Sequence, residues 1–178
     1  NARAHLAGRF NVEAFIVHGP FPVAYEKRKG GRVLVFDDFW EEDADAHNLA
    51  EQCGCYVFAL RNKSLVPLYV GKATKTFQQE TFNNHNKHKY QSVFSDYAKG
   101  TPVRFFVVHP KQKGPANGKQ IAAIESFLIS AAVAKNPDLQ NIKGVKAPQW
   151  SIKGVVRSKG KRSKSAVAFA TCLDLRRH

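Results

Sequence analysis

The sequence predicts an α+β fold built around a small, mainly antiparallel β-sheet. Two short apolar runs, at residues 54–60 and 68–72, are rich in strand formers and are separated by a stretch with turn-forming residues, which is typical of a β-hairpin. Apolar residues with helical spacing follow at 90–97 and again at 119–135. With a strand predicted between those two helices, the middle of the chain has the order β-β-α-β-α, which is typical of the α+β class.

More β-structure is predicted before this hairpin. Phe10 to Val17 has the composition of a strand. Residues 22–25 and 32–36 flank Lys29-Gly30-Gly31, which is a hairpin turn signal. The front of the chain therefore adds a strand and a second hairpin to the sheet-rich part of the fold.

A cluster of acids leads into the main hairpin. Residues 37–45 hold six acids, and Ala46, Leu49 and Ala50 then fall at helical spacing. We expect a helix over 38–52 with the acids at its start, where the helix dipole favours them. Their spacing matches no recognised metal-binding loop, so we interpret them as a solvated helix start.

After the hairpin, capping and breaking residues predict where the elements begin and end. Thr76-Phe77-Gln78-Gln79 is a capping box that starts a helix, although the polar stretch 83–89 can interrupt it. The apolar stripe over 90–97 continues until Gly100 and Pro102 stop the helix. The remaining predicted elements are a strand at 103–108, a helix at 119–135 that Pro137 ends, a strand at 150–156, a basic Ser/Gly loop at 158–165 and a helix at 166–175.

The composition is typical of one globular domain that binds a polyanion. The chain has 178 residues, of which 43% are hydrophobic, and no apolar run reaches the length of a membrane helix. The net charge of +14 is uneven, because residues 1–54 carry −3 whereas 55–140 and 141–178 carry +8 and +9. Such a surface favours nucleic acid as the partner, the alternative being a basic face that only improves solubility.

Cysteine usage and the N-terminal residues indicate the compartment. Three cysteines are too few for a disulfide framework, and Cys53-x-Cys55 has no second pair that would make a zinc site. Arg3, His5 and Arg9 interrupt any signal-peptide pattern. We therefore expect reduced thiols and a cytoplasmic protein with no membrane partner.

Glu125 is the strongest candidate for a catalytic or metal-binding residue. Ile121, Ile124 and Leu128 define the apolar face of the helix over 119–135, and Glu125 lies within that face. A carboxylate there must be paired, protonated or bound to a metal, because burying it bare costs too much free energy. A salt bridge to a nearby Lys or Arg is the alternative to a metal site.

Together these features resemble the GIY-YIG nuclease family. Gly54-Cys55-Tyr56 stands in place of Gly-Ile-Tyr, and Tyr69-Val70-Gly71 stands in place of Tyr-Ile-Gly at hairpin spacing. Glu125 on a later helix and Asn141 after a Pro-x-Leu-x turn complete the resemblance. The resemblance covers roughly residues 54–145, which we expect to be a GIY-YIG-like nuclease core. We expect residues 1–53 to be an N-terminal extension packed on that core and residues 146–178 a basic C-terminal extension, in one compact domain overall.

The resemblance implies a metal-dependent DNA endonuclease that hydrolyses phosphodiester bonds. The family's glutamate holds one Mg²⁺ or Mn²⁺, which makes Glu125 the expected metal ligand. The first tyrosine of the family holds or deprotonates the attacking water. This role passes to Tyr56 if neighbouring cations lower its phenol pKa, which is ordinarily near 10. Tyr69 would bind near the phosphate or support Tyr56, unless it is an ordinary core residue. Asn141 would orient the glutamate or the hairpin, with Asn136 as a rival.

At one position the chain departs from the family. Many members have an arginine about eleven residues after the second tyrosine, where this chain has Glu80. An acid cannot replace that cation. Lys72, directly after Gly71, is the expected substitute, as in some restriction enzymes of the family. Glu80 would orient Lys72 or be a second polar ligand.

Further residues are expected to serve the nuclease. Members of the family often place a histidine or tyrosine near the end of the helix after the hairpin, and His85 is the first candidate, with His88, Lys89 and Tyr90 as rivals. Five cations in eight residues of the tail favour contact with a phosphate backbone, the alternative being a solvated loop. The expected nucleic-acid contacts are Lys75, Lys87, Lys89, Arg157, Lys159, Lys161, Arg162 and Lys164.

Other functions stay open at this point. A catalytically inactive nucleic-acid-binding module with the same fold would account for Glu80 and would bind without cleaving. A basic structural or ribosome-associated protein would leave Glu125 without a purpose. RNA as the substrate, in place of DNA, also stays open.

Overall fold

The computed structural model describes residues 14–110, 116–136, 138–140, 152 and 163–172. Within these residues the chain has an α+β fold, so the predicted fold class is confirmed. The strands are β1 (Ile16–Pro22), β2 (Tyr25–Arg28), β3 (Gly31–Leu34), β4 (Gly54–Arg61), β5 (Leu65–Ala73) and β6 (Thr101–Val108). The helices are α1 (Ala44–His47), α2 (Phe77–Thr81), α3 (Asn84–Ser95), α4 (Gly118–Lys135) and α5 (Lys164–Cys172).

The main sheet has four antiparallel strands in the order β1-β6-β4-β5, and β2 and β3 form a separate two-stranded ribbon. β4 therefore lies between β5 and β6, and β5 forms an edge in the described part of the chain. In this register Tyr56 pairs with Gly71, and Cys55 pairs with Lys72. Because side chains alternate along a strand, Tyr56 and Tyr69 point to one face of the sheet and Lys72 points to the other.

Different helices cover the two faces of the sheet. On the tyrosine face, α2, α3 and the segment between β3 and α1 pack on β4 and β6. The aromatic core formed there contains Phe36, Phe39, Trp40, Phe58, Phe77, Tyr90, Phe94 and Phe106. On the opposite face, α4 packs on the sheet through Ile121, Leu128 and Ala132. The fold thus places Glu125 on the same side as Lys72, and both tyrosines on the α3 side.

α4 is the longest described helix, with 18 residues. Its N-cap is Asn117, whose side chain accepts hydrogen bonds from the backbone N–H groups of Lys119 and Gln120. After its last residue, Asn136 donates from Nδ2 to the Pro67 carbonyl at 2.7 Å, which ties the helix end to the start of β5. Neither α4 nor any other helix in the described residues has the length and apolar character that crossing a membrane requires.

Several predicted bounds in the N-terminal third are wrong. The strand predicted over 10–17 begins at Ile16 within the described residues and continues to Pro22. The helix predicted over 38–52 is reduced to α1, which Asp43 caps by accepting from two backbone N–H groups. A turn precedes α1 because neighbouring Phe39 and Trp40 both enter the core, and each is 6% exposed. The hairpin predicted around Gly30 is confirmed as β2 and β3, but its strands are Tyr25–Arg28 and Gly31–Leu34 where 22–25 and 32–36 were predicted.

The central hairpin is confirmed, with corrections to what surrounds it. Its strands are longer than expected, so only residues 62–64 connect them, where a seven-residue connection was predicted. The helix predicted from Thr76 is two helices, because Asn83 caps a new start by accepting from the Asn86 N–H at 2.9 Å. The order is therefore β-β-α-α-β-α, not β-β-α-β-α.

The predictions for the C-terminal part can be compared only in places. α5 begins at Lys164, so the basic loop predicted over 158–165 ends earlier than expected and Lys164 is helical. The Ser163 hydroxyl accepts from the Ala166 N–H at 3.1 Å at this helix start. The rest of that loop, and the strand predicted over 150–156 apart from residue 152, lie outside the described residues.

Candidate active site

Gly71 is explained by the ring of Tyr56, which lies over it from the neighbouring strand. A Cβ atom on Gly71 would lie 2.4 Å from Cζ and 2.5 Å from the hydroxyl oxygen of Tyr56. The glycine of the second tripeptide and the tyrosine of the first therefore form one packing unit. The group that comes close to the Gly71 backbone is therefore this phenol, whereas a ligand such as a phosphate would be another reason for a glycine at this position.

Tyr56 is almost completely buried, with 2% of its surface exposed. Its hydroxyl accepts a hydrogen bond from Nδ2 of Asn86, in the first turn of α3, at 3.0 Å. Burial is the main cause that raises the pKa of Tyr56 well above its ordinary value, while the charge of Arg104 acts in the opposite direction. The expectation that neighbouring cations lower this pKa is therefore wrong, and the phenol is protonated at neutral pH.

Tyr69 stacks on Tyr56 with 6.3 Å between the ring centroids. Burial, and after it the neighbouring Tyr90, raise the pKa of Tyr69 to about 12. The Lys89 ammonium lies 5.3 Å from the centre of the Tyr69 ring. Glu125 also raises this pKa, which couples the phenol electrostatically to a carboxylate on the other side of the edge strand.

Lys72 and Glu125, which are 53 residues apart in the chain, form a salt bridge in the structure. Nζ of Lys72 lies 2.7 Å from Oε2 of Glu125, and the two side chains are 41% and 19% exposed. The ion pair that was the alternative to a metal site is therefore present. Its partner is the same lysine that the motif singles out. The Cys55 thiol is buried nearby, and burial followed by the Glu125 charge raises its pKa to about 12, so this thiol is unreactive at neutral pH.

The donor set at Glu125 suits only one class of metal. Across the described residues, no three His, Cys, Asp or Glu side chains come together as a metal site. A single carboxylate fits Mg²⁺ or Mn²⁺, because Mg²⁺ keeps several waters and takes one or two carboxylates with substrate phosphates. It does not fit zinc, which needs three or four protein ligands. A cation bound here would compete with the Lys72 ammonium for Oε2.

Glu80, which stands where the family has a cation, is engaged with the backbone. Its Oε1 accepts from the N–H of Thr74 at 2.7 Å and from the N–H of Lys75 at 2.5 Å. These bonds close the turn between β5 and α2. The expectation that Glu80 orients Lys72 is therefore not supported, since Lys72 pairs with Glu125 on the other face.

The candidates in α3 for the family's histidine or tyrosine position lie on different sides of the helix. Lys89 faces Tyr69. His85 lies four positions earlier and so shares that side of the helix. His88 and Lys87 line a cavity of about 390 Å³ together with residues of β3. Nζ of Lys87 lies 3.7 Å from Oδ1 of Asp37. Fully buried Tyr90 belongs to the core, where its hydroxyl donates to the Thr81 carbonyl at 2.8 Å.

Several expected site residues cannot be placed. Asn141 and the tail cations Arg157, Lys159, Lys161 and Arg162 lie outside the described residues. Lys164 is exposed at the start of α5, and Lys75 is exposed in the turn after β5. Asn136, the rival of Asn141, is 7% exposed and holds the end of α4 on β5, which is a structural role.

Two residues that the sequence reasoning missed lie beside the tyrosines. Asn86 precedes Tyr90 by one helical turn, so a polar residue on the apolar side of α3 was the available signal. Arg104 lies in β6 and is fully buried. Strand alternation places it on the same face as Phe106, and a charge within an otherwise apolar strand was the available signal.

The comparisons with known proteins add no family to this picture. No family model, no curated protein and no solved structure matches the chain.

Proposed function

We propose that this protein is a metal-dependent DNA endonuclease of the GIY-YIG type. The observation that carries the proposal is the meeting of Lys72 and Glu125 at the edge strand. Glu125 is the one carboxylate of α4, and it lies on the apolar side of that helix. Its partner is Lys72, the cation that directly follows Tyr69-Val70-Gly71. The two tyrosines of the tripeptides stack on the other side of the same strand pair. The resemblance names these four residues for the site, whereas their division between the two faces of the sheet and the ion pair at Glu125 were not predicted from it.

Each residue would have a distinct task in phosphodiester hydrolysis. The Tyr56 hydroxyl holds the attacking water, and it accepts the water's proton only in the fraction of molecules in which the phenol is ionised. Because burial raises the pKa of Tyr56, this fraction is small at neutral pH and increases tenfold for each pH unit. Lys72 would leave Glu125 to contact the phosphate, and Lys89 would hold a neighbouring phosphate.

Glu125 would hold the Mg²⁺ or Mn²⁺ ion. When bound, that ion supplies positive charge that stabilises the oxygen leaving the phosphorus. This chain's contribution is to hold the carboxylate in place and partly shielded from water, since Lys72 pairs with it and α4 leaves it 19% exposed. The expected products have 5′-phosphate and 3′-hydroxyl ends.

A second candidate is a nucleic-acid-binding module without catalysis. Two observations favour it. Glu80 closes a turn where the family has a cation, and the Tyr56 hydroxyl already accepts from Asn86 in a buried setting. The excess of positive charge over residues 55–178 serves this function as well as it serves the first.

Incubation of a supercoiled plasmid with Mn²⁺ or Mg²⁺ separates these two functions. We expect nicked and linear products from the parent protein, and a loss of at least about a hundredfold in rate for Glu125→Gln. Glu51→Gln, which neutralises an exposed acid before β4, is the matched control and should cut like the parent. Binding without cleavage in either metal would support the non-catalytic module. Cleavage by Glu125→Gln within tenfold of the parent rate would remove this carboxylate from the reaction.

A further inference from the structure

Arg104 is a fully buried cation held inside a cage of aromatic rings. Its guanidinium carbon lies 4.4 Å from the ring centre of Tyr90 and 4.6 Å from that of Phe82. The rings of Tyr56 and Phe58 are 5.3 and 5.5 Å away. Four rings from β4, α3 and the segment between α2 and α3 therefore surround the charge. They supply cation–π attraction in place of water.

No carboxylate neutralises this cation among the described residues. Its Nη1 donates to the Tyr90 hydroxyl at 3.3 Å, while Nε and Nη2 have no hydrogen-bond partner there. Burying an unpaired charge is costly, and well-packed apolar residues at such positions are often as stable or more stable. The presence of Arg104 at this position is therefore not explained by its contribution to stability.

The groups that Arg104 faces are the tyrosines of the candidate site. Its Nη1 donates to the Tyr90 hydroxyl, and the Tyr90 ring packs edge-on against the Tyr69 ring with 5.4 Å between ring centroids. Tyr69 in turn stacks on Tyr56. Two other charged side chains act on Tyr69. The Lys89 ammonium lies over its ring, and Glu125 on α4 raises its pKa. Of these charges, Arg104 alone is fully buried on the tyrosine face of the sheet.

We propose that Arg104 is a positioning residue that holds Tyr90 and keeps a positive charge behind Tyr56 and Tyr69, so that negative charge can develop at their hydroxyls. This inference rests on the proposed nuclease function. It assigns a task in that reaction to a residue on β6 that contacts neither the water nor the phosphate. The direction of its effect agrees with the lower pKa that its charge favours at both phenols.

The test compares Arg104→Met, which removes the charge, with Arg104→Lys, which keeps it. For Arg104→Met we expect a stability close to or above that of the parent, and a fall in kcat of about tenfold or more with little change in KM. The tenfold figure corresponds to one pH unit in phenol ionisation. The rising limb of the pH–rate profile should move to higher pH by about one unit or more, and Arg104→Lys should restore most of the rate.

A second measurement does not depend on cleavage. The five tyrosines can be replaced during biosynthesis by a ring-fluorinated analogue that ionises at lower pH, and fluorine NMR then follows each phenol, with Tyr56→Phe assigning its signal. Arg104→Met should move the Tyr56 titration to higher pH, and Arg104→Lys should leave it near the parent value. If the parent does not cleave DNA, the proposed function fails, while this titration still decides the role of Arg104.

Two results would overturn the inference. One is a titration of the Tyr56 and Tyr69 signals that is the same in the parent and in Arg104→Met. The other is Arg104→Lys behaving like a full loss of charge, with the same shift and the same loss of rate as Arg104→Met. If Arg104→Met does not fold, the comparison of Arg104→Lys with the parent still applies, and a shift of a full pH unit in that variant would count against the proposal.

Discussion

Gly71→Ala tests whether the glycine of the second tripeptide exists for packing or for a ligand. The added Cβ would lie 2.4–2.6 Å from three atoms of the Tyr56 ring, whereas ordinary contact begins at 3.4 Å. The ring or the strand must therefore move by nearly 1 Å. Tyr56 is 2% exposed and its hydroxyl is bonded to Asn86, so the ring has little freedom to move. Overpacking of this kind costs about 1–3 kcal/mol.

The cost can be measured by thermal or denaturant unfolding of the free protein. For a chain of this size, 1 kcal/mol corresponds to roughly 2–4 °C in Tm, so the expected loss is roughly 2–12 °C. Gly118→Ala is the matched control, because no atom lies within 4 Å of its added Cβ at the start of α4. That variant should keep the parent's stability or gain up to about 1 kcal/mol, since alanine favours helix over glycine.

The two explanations of Gly71 give opposite results. If packing against Tyr56 is the reason, Gly71→Ala lowers Tm in the absence of any ligand. In a Tyr56→Ala background the same substitution should then cause no further loss of Tm relative to Tyr56→Ala alone. If the glycine only allows a phosphate to approach, Gly71→Ala has the parent's Tm and loses affinity for DNA instead. A Tm equal to that of the parent would therefore refute the packing argument.

Three further predictions follow from charges in the site. Lys72→Ala should slow cleavage yet tighten Mn²⁺ binding by up to about fivefold in calorimetry, because the ammonium no longer competes for Glu125; weaker binding would contradict this competition. Lys89→Ala should make the plot of log binding constant for DNA against log salt concentration shallower by about 0.9 in slope. Lys87→Ala should change this slope little, because Lys87 lies beside Asp37. Equal effects of the two variants would show that α3 does not present one side to DNA. Because burial raises the pKa of Tyr69 from 10.0 to about 12, the unfolded state ionises first, and this phenol should lower stability by on the order of 2 kcal/mol as pH rises from 10 to 12, in addition to the fall that buried Tyr56 causes. In Tyr69→Phe the fall measured by urea unfolding should therefore be smaller than in the parent, and an equal fall would remove Tyr69 as a cause.

The elements that the sequence predicted well are those with a strong local pattern. Both strands of the central hairpin and the strand before α4 are apolar runs rich in strand formers, and α4 has helical apolar spacing over most of its length. The helix predicted over 38–52 failed because its acids suggested a helix start without regard to Phe39 and Trp40. Both of those residues enter the core, and the chain turns there to bury them.

The candidate site was predictable only as far as the motifs reach. Tyr56, Tyr69, Lys72 and Glu125 could be named from spacing and residue type. The ion pair between the last two depends on α4 packing beside β5, which no local pattern encodes. Arg104 carried a readable signal in its strand, but the four rings of its aromatic cage come from three different segments, so the surroundings of this buried cation become visible only in the fold.

The position of β5 at the edge of the described sheet limits how any rigid substrate can approach. Lys72 and Tyr69 point to opposite faces of this strand, so a group that touches both must lie beside the strand and not over either face. On the Lys72 face such a group would lie next to α4, and on the Tyr69 face it would lie next to the start of α3. Under the proposed function, a DNA duplex is much wider than one strand, so this geometry favours a backbone segment that protrudes from the duplex, such as a bent, nicked or unpaired stretch.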